Sequence, residues 1–453
     1  MSESDGLHPA QRRWVMTCAV LGVMLAGLDS AIANIALPTI ARDLDATGAA
    51  TIWVVNSYQL SVTACLLPAA ALGDIWGLKR VYGLGLVLFT LASLACALST
   101  TLTLLVLSRL LQGMGGACLA SLGGALVRTI YPRAQLGRGF ATIALAVALS
   151  AALGPTLAAL ILSIAHWPWL FLVNVPVGCL TVPLFAAVAP PGQRRPRAFD
   201  WPGTLLNAAT FGLIVTGVDG LGNSARGVAL AELAAGLVVG ALLIKQQSRQ
   251  RSPMLPLDLL RIPLFALSMA TSVCSYSAQI LAYVSLPFLF QVVMHRSAVA
   301  TGLLVTPWPL LVAVAAPLAG RLSDRYPAAI LGTIGLAVLA CGLLLLATMP
   351  TSPANWNVVW RMGICGIGFG FYQTPNNITL MTAGPPARNS AASAMVAVAR
   401  TVGWSLGSAI VALVFGLGGD QAAGACLYVA AGFAMLGIVV SVLRTGARPV
   451  TAA

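Results

Sequence analysis

The chain has 453 residues, 58% of them hydrophobic and only 8% charged, whereas a soluble chain carries about 25% charge. So little charge cannot cover the surface of the roughly three soluble domains this length would otherwise suggest, and disorder needs the opposite composition. The expected fold is an all-α, polytopic membrane protein, and the net charge of +13 has to be read by position before it is read as a phosphate-binding surface.

A helix crosses the hydrocarbon with about 20 residues. Apolar runs of that length lie at 14–38, 52–72, 81–99, 102–127, 139–164, 169–188, 203–221, 227–247, 264–292, 300–320, 328–349, 355–381, 389–416 and 423–443. Fourteen spans leave no room for a soluble catalytic domain, and no nucleophile–base or metal constellation points to an enzyme. The segment before Arg13 is polar and the run after it is too long for a signal-peptide core, so no cleavage is expected. The nine cysteines fall singly in apolar runs without a CxxC pair, which reads as small buried side chains rather than zinc or redox chemistry.

Alternate connections collect nearly all the basic residues on one side. These are Arg12, Arg13, Lys79, Arg80, Arg128, Arg133, Arg138, Arg194, Arg195, Arg197, Lys245, Arg249, Arg251, Arg261, Arg321, Arg325, Arg388, Arg444 and Arg448. The other side holds Arg42, Arg226 and Arg296, while Arg109, Arg361 and Arg400 fall inside spans. This asymmetry is the positive-inside bias. It places both termini in the cytoplasm of a cell's inner membrane, and it accounts for the excess charge without nucleic acid.

In span 1, Asp29 lies nine residues before Pro38, about 13 Å from the outer end. In span 4, Arg109 lies seven residues past Leu102, about 10 Å deep. The two side chains match in depth, and an ionisable residue in a membrane is a functional candidate by default. Two readings stand: a proton-coupling pair, or a static ion pair that joins spans 1 and 4. Gln112 is one turn beyond Arg109. Glu232 and Asp219 sit near the outer ends of spans 8 and 7 and read as interfacial carboxylates.

Span 9 carries Ser272, Tyr276, Gln279 and Tyr283 at steps of four, three and four, on one helical face. Such a polar stripe faces either a cavity or hydrogen-bonding neighbours. Together with Asn34, Asn56, Tyr58, Gln59 and Gln112 in the first half, and Tyr372, Gln373, Asn376 and Asn377 in span 12, it outlines a candidate substrate pocket. Trp53, Phe288, Trp308 and Phe371 are its candidate aromatic walls, suited to hydrophobic and cationic compounds. No GxxxxGK[ST] loop is present, so nucleotide is not expected.

The chain repeats itself. Asp74 and Asp324 both end spans at an offset of 250, Arg109 and Arg361 at 252, and Leu37-Pro38 and Leu286-Pro287 at 249. Spans 1–6 (residues 1–190) and 9–14 (residues 251–453) are therefore expected to be two six-helix halves, with spans 7 and 8 (residues 191–250) inserted between them. Parallel halves with a site at their interface are transporter architecture. The counterpart of Asp29 is Gln279, which cannot titrate, so proton handling is assigned to the first half.

The chain resembles the major facilitator superfamily, and within it the fourteen-span drug:proton antiporters. The resemblance is carried by Leu28 to Pro38 in span 1, Gly73 to Arg80 between spans 2 and 3, Leu105 to Ala117 around Arg109, and Gly154-Pro155 in span 5. It is also carried by His166 to Gly178 at the start of span 6 and Phe199 to Gly203 before span 7. Departures are Ala70, Leu78 and Pro327 in the loop motifs, and Ala158-Ala159 in span 5.

The resemblance implies a proton-coupled exporter of hydrophobic, often cationic drugs, working as a monomer without cofactor, in which drug and proton compete for Asp29. It implies that Gly154-Pro155 bends as part of the gate. Asp74 with Gly77, Lys79 and Arg80, and its counterpart Asp324 with Arg325, read as cytoplasmic latches or as solvated charge clusters. A dedicated exporter of one endogenous compound and a non-transporting sensor are the alternatives.

Overall fold

The computed structural model describes residues 7–132, 135–191, 198–222, 226–250, 253–385 and 389–445. Arg133, Arg194, Arg195, Arg197, Arg251, Arg388 and Arg448, counted above for topology, lie outside the described residues. Every predicted run becomes a helix. The first half holds α1 (Pro9–Asp43), α2 (Gly48–Trp76, interrupted at Ile52), α3 (Leu78–Ala97), α4 (Leu102–Ile130), α5 (Leu136–Ile164) and α6 (Trp169–Val188). Between the halves stand α7 (Trp201–Gly220) and α8 (Arg226–Ser248). The second half holds α9 (Pro263–Val293), α10 (Ala298–Leu322), α11 (Ala328–Ala347), α12 (Asn355–Thr382), α13 (Asn389–Gly418) and α14 (Ala423–Thr445).

Among the described residues twelve of these helices are long and apolar enough to cross a membrane. The expected count of fourteen is met in helices but not in apolarity. α7 carries Asn207, Thr210 and Asp219, and α12 carries Arg361, Gln373, Asn376 and Asn377, which lowers both below the other twelve.

Local chemistry sets the ends. Thr47, Thr101, Asp200 and Ser297 each accept a backbone N–H at a helix start, satisfying donors the helix leaves orphaned. Gly77 separates α2 from α3 at φ 94°, a backbone state that L side chains resist. Prolines 38, 68, 155, 183, 287, 317 and 375 lie inside helices, and after Pro287 the backbone continues as a π turn over Leu289–Val293. Large apolar side chains such as Leu145, Leu160, Leu230, Leu237 and Ile244 point outward from α5 and α8, which suits lipid.

Glycines set the closest approaches, and they repeat. A methyl at Gly115 would stand 2.7 Å from Phe89 N and 2.9 Å from Gly85 O, and one at Gly368 would stand 2.4 Å from Leu339 N and 2.8 Å from Gly335 O. Likewise Gly113 abuts Tyr58 O and Gly366 abuts Trp308 O. Tyr58 and Trp308, Gly85 and Gly335, and Phe89 and Leu339 are each 250 residues apart, so α3–α4 and α11–α12 pack through the same contacts.

One buried apolar cluster joins the two six-helix sets in the half of the molecule away from the termini, with Ile32, Ile35 and Ile40 of α1 beside Ile280, Phe288 and Phe290 of α9. In the terminal half each set closes on its own cluster, around Val15, Tyr82 and Leu126 in one and Phe265, Met269 and Leu380 in the other. Gln291 Nε2 donates to Ile35 O at 2.9 Å, Thr156 meets Thr306 at 2.9 Å, and Thr63 meets Ser405 at 2.9 Å. The sets are thus joined at the far end and the middle.

The α7–α8 pair leans on both sets. Asn207 Nδ2 donates to Ala64 O at 2.9 Å, Trp53 Nε1 donates to Asp219 at 3.0 Å, and Gly222 packs on Gly416. Its base is Asp200, which accepts from Gly203 N–H at 2.9 Å, Gln246 at 2.9 Å and Gln247 at 2.6 Å. Burial alone raises this carboxyl, but the bonds from Gly203, Gln247 and Gln246 outweigh it and hold Asp200 below the usual carboxylate value. A depressed folded value stabilises above the unfolded one, near 4, and the contribution disappears as pH falls through the folded value. Asp200→Ala is expected to cost about 1 kcal/mol as a lost cap. Hydrogen exchange should speed up in the first turn of α7, in the mutant at neutral pH and in the wild type only in acid.

Candidate functional site

Asp29 of α1 and Arg109 of α4 form an ion pair in the middle of the first half, each about 1% exposed. The cluster around them leaves neither carboxylate oxygen free. Asp29 Oδ2 accepts from Arg109 Nη1, while Oδ1 accepts from Gln112 Nε2 at 2.8 Å and Asn174 Nδ2 at 2.9 Å. Arg109 Nε donates to Val54 O at 3.0 Å, and its Nη1 also donates to Gln112 Oε1 at 2.5 Å. Gln112 reaches Ser93 Oγ at 2.8 Å. The guanidinium lies 4.3 Å from the Tyr58 ring centre and 5.5 Å from that of Phe171. Five helices thus supply one network, and a buried pair needs such additional bonds to survive desolvation.

Sequence reasoning found Asp29, Arg109, Gln112 and Tyr58 but missed Ser93, Asn174 and Phe171. Asn174 and Phe171 belong to the stretch from His166 to Gly178, so a signal existed; a mid-helix serine gives none. Both oxygens of Asp29 are engaged in this conformation. The carboxylate is about 1% exposed, so in this conformation it presents no open face to a compound between the sets.

The α9 stripe is turned inward, toward α10, α12 and α13. Gln373 Nε2 donates to Tyr276 Oη at 3.0 Å, Trp404 Nε1 donates to Gln279 at 3.2 Å, and Tyr283 meets Trp308 edge to face at 5.1 Å. Phe288 packs on Phe415 at 5.0 Å. On the other set, Asn56, Gln59 and Asn34 carry buried side-chain atoms with no hydrogen-bond partner, as does Trp308 Nε1. Unpaired polar atoms are costly in an apolar medium, so these residues remain suited to contact a polar group between the sets.

Tyr372 and Asn376 are already occupied. Tyr372 Oη donates to Ser272 Oγ at 3.4 Å, and Asn376 Nδ2 donates to Ser272 Oγ at 2.8 Å. Asn376 Oδ1 accepts from Arg444. Arg444 is a correction: counted by position as a loop charge, it is about 1% exposed. It also reaches Ser268 Oγ at 3.2 Å, Ser441 Oγ at 3.3 Å and Ala328 O at 3.4 Å. The last turn of α14 meets polar atoms of α9, α11 and α12, and these replace water around the guanidinium. Asn376 and Tyr372 therefore tie helices together in this conformation.

Arg361 occupies the position of Arg109 in the repeat, yet it donates to Leu345 O at 2.8 Å and lies beside Trp360. With Gln279 where Asp29 would be, the second half has no carboxylate to hold it inward. Gly154 approaches Ala31 of α1 so closely that an added methyl would sit 2.4 Å from its Cβ, and Gly302 of α10 abuts Pro155 O. This segment of α5 therefore touches both sets. Asp74, Arg80, Asp324 and Arg325 are exposed, and Asp74 makes no ion pair with Lys79 or Arg80. Among the described residues the ion pairs are Asp29–Arg109 and Arg42–Asp43.

Residues 19–408 match the model of the Major Facilitator Superfamily. The chain is 50% identical over 447 residues to the uncharacterized transporter YebQ of Escherichia coli, covering 98% of this chain and 97% of that one. It is 32% identical over 399 residues to the multidrug resistance protein Stp of Mycobacterium tuberculosis, covering 87% and 74%. It is 28% identical over 408 residues to the riboflavin transporter RibZ of Clostridioides difficile, covering 89% of each.

Proposed function

We propose that this chain, which belongs to the Major Facilitator Superfamily and is thus a multi-span membrane transporter rather than an enzyme, is a proton-coupled antiporter that exports hydrophobic compounds, drugs among them. The observation that carries the reading is the sealed Asp29–Arg109 pair. Paired, the carboxylate keeps its charge. If a rearrangement draws Arg109 away, desolvation penalises the anion and a proton binds. Cargo acts on this switch at a distance, through the groups that hold Arg109, rather than by touching Asp29.

In this reading α7 and α12 also cross the bilayer, making fourteen crossings with both termini in the cytoplasm. The α12 helix of 28 residues is about 42 Å long and buries its polar face against α9 and α14, so its low apolarity is no obstacle. The far-end seal is then the outer gate, and the molecule is poised to take cargo from the cytoplasm. The protein works as a monomer with the proton as its only coupling partner. Stp, a multidrug resistance protein by name, supports a broad cargo range. RibZ, a riboflavin transporter by name, supports a second reading in which one compound is carried.

The test is efflux of a panel of chemically unrelated dyes from cells expressing the chain, with and without a collapser of the proton gradient. Gradient-dependent export of several dyes is the expected result. Export of a single compound selects the second reading, and export indifferent to the gradient rejects proton coupling.

A further inference from the structure

The charges within the helices are nearly all spent. Asp29 and Arg109 close on each other, Arg444 closes on Asn376 and its neighbours, and Arg361 bonds the Leu345 carbonyl. Arg400 of α13 is different. Its Nε is buried with no hydrogen-bond partner, as are those of Arg361 and Arg444. Unlike them, among the described residues it makes no hydrogen bond through its other guanidinium nitrogens, and no carboxylate lies within ion-pairing distance of it.

Its direction follows from the helix. Val398 lines the crevice between α13 and the α7–α8 pair, and two residues further is about 200° around a helix, so Arg400 points away from that crevice. Its guanidinium lies 5.3 Å from the Trp404 ring centre, and it is close enough to Tyr58 of the opposite set to act electrostatically on the hydroxyl. Trp404 is fixed in turn by its bond to Gln279 and by Tyr276, edge to face at 6.0 Å.

We propose that Arg400 is the receptor for an anionic group on the transported compound, with Trp404 and Tyr276 forming the wall that takes its apolar or aromatic body. The inference rests on the transporter reading above. A planar guanidinium presents paired donors that fit a carboxylate, sulfonate or phosphate, and a lone cation in a membrane interior is expensive until something answers its charge.

The probes are 2-naphthoate and 2-naphthylmethyl-trimethylammonium, which share an aromatic body and differ in charge. Titration calorimetry on the purified full chain should show about tenfold tighter binding of the naphthoate, or about 1.4 kcal/mol. Arg400→Gln should abolish the preference, and Arg400→Lys should keep part of it. A wild-type protein without a preference for the anion, including one that binds neither probe, overturns the proposal without needing any variant. So does an Arg400→Gln protein that elutes as the wild type does and keeps the preference.

Liposome flux separates this from the broader reading. If naphthoate binds through Arg400 but an imposed pH gradient moves neither it nor any of the dyes, proton coupling fails and the anion site stands. If cationic dyes are pumped on the gradient while naphthoate binds wild type and Arg400→Gln alike, the anion site fails and proton coupling stands.

Discussion

Asp29→Asn is expected to reduce gradient-driven transport in proteoliposomes to background while the protein still inserts in the membrane. Asparagine keeps an oxygen for Gln112 and Asn174, so the shape of the pocket survives. What it loses is the negative charge facing Arg109 and the capacity to take up a proton. Arg109 is then a buried cation with no counter-charge, and removing one partner of such a pair costs about 3–5 kcal/mol. The single variant should therefore be markedly less heat-stable in detergent. Asp29→Asn with Arg109→Gln removes the stranded charge, so it should regain much of that stability while transport stays at background. This split distinguishes coupling from scaffolding. A double variant that recovers both stability and gradient-driven flux would reduce the pair to a brace between α1 and α4, and a transporting single variant would reject the coupling role outright.

The parts of this site that were legible in the sequence are those fixed by depth along a helix. Asp29 and Arg109 sit at matching depths in spans 1 and 4, and Gln112 follows one turn later on the same face, so only the packing of α1 against α4 had to be added. Asn174 is different: it reaches Asp29 because the start of α6 approaches α1, a tertiary fact that no periodicity carries. Arg444 shows the same limit from the other side. Its place at the end of α14 is correct, but position along a helix does not say which atoms lie around it. Arg361 repeats Arg109 in sequence, yet the two differ in environment because the repeat substitutes Gln279 for Asp29. The repeat therefore conserves shape more faithfully than charge. Its clearest trace is in glycines, whose missing side chains admit a neighbouring backbone in the same way in both halves.

That trace predicts a second large loss of stability. At Gly368 a Cβ would stand 2.4 Å from Leu339 N and 2.8 Å from Gly335 O. Both obstacles are backbone, so no side-chain rotation relieves the overlap, and α11 and α12 must separate. Overpacking costs about 1–3 kcal/mol where side chains can adjust, and Gly368→Ala should lie at or above the upper end. Gly115→Ala should behave alike in the first half, where the nearest atoms are Phe89 N at 2.7 Å and Gly85 O at 2.9 Å, with a somewhat smaller loss because the overlap is less. Gly123→Ala is the control: its Cβ would meet only Val23 Cγ2 at 3.9 Å, an ordinary contact, and replacing a mid-helix glycine with alanine is worth about 0.5–1 kcal/mol in the helix. Thermal unfolding of the purified variants in one detergent should rank Gly123→Ala at or above wild type, then Gly115→Ala, then Gly368→Ala. If Gly368→Ala unfolds at the wild-type temperature, α11 and α12 are not held at backbone contact, and the shared packing of the two halves fails where it is tightest.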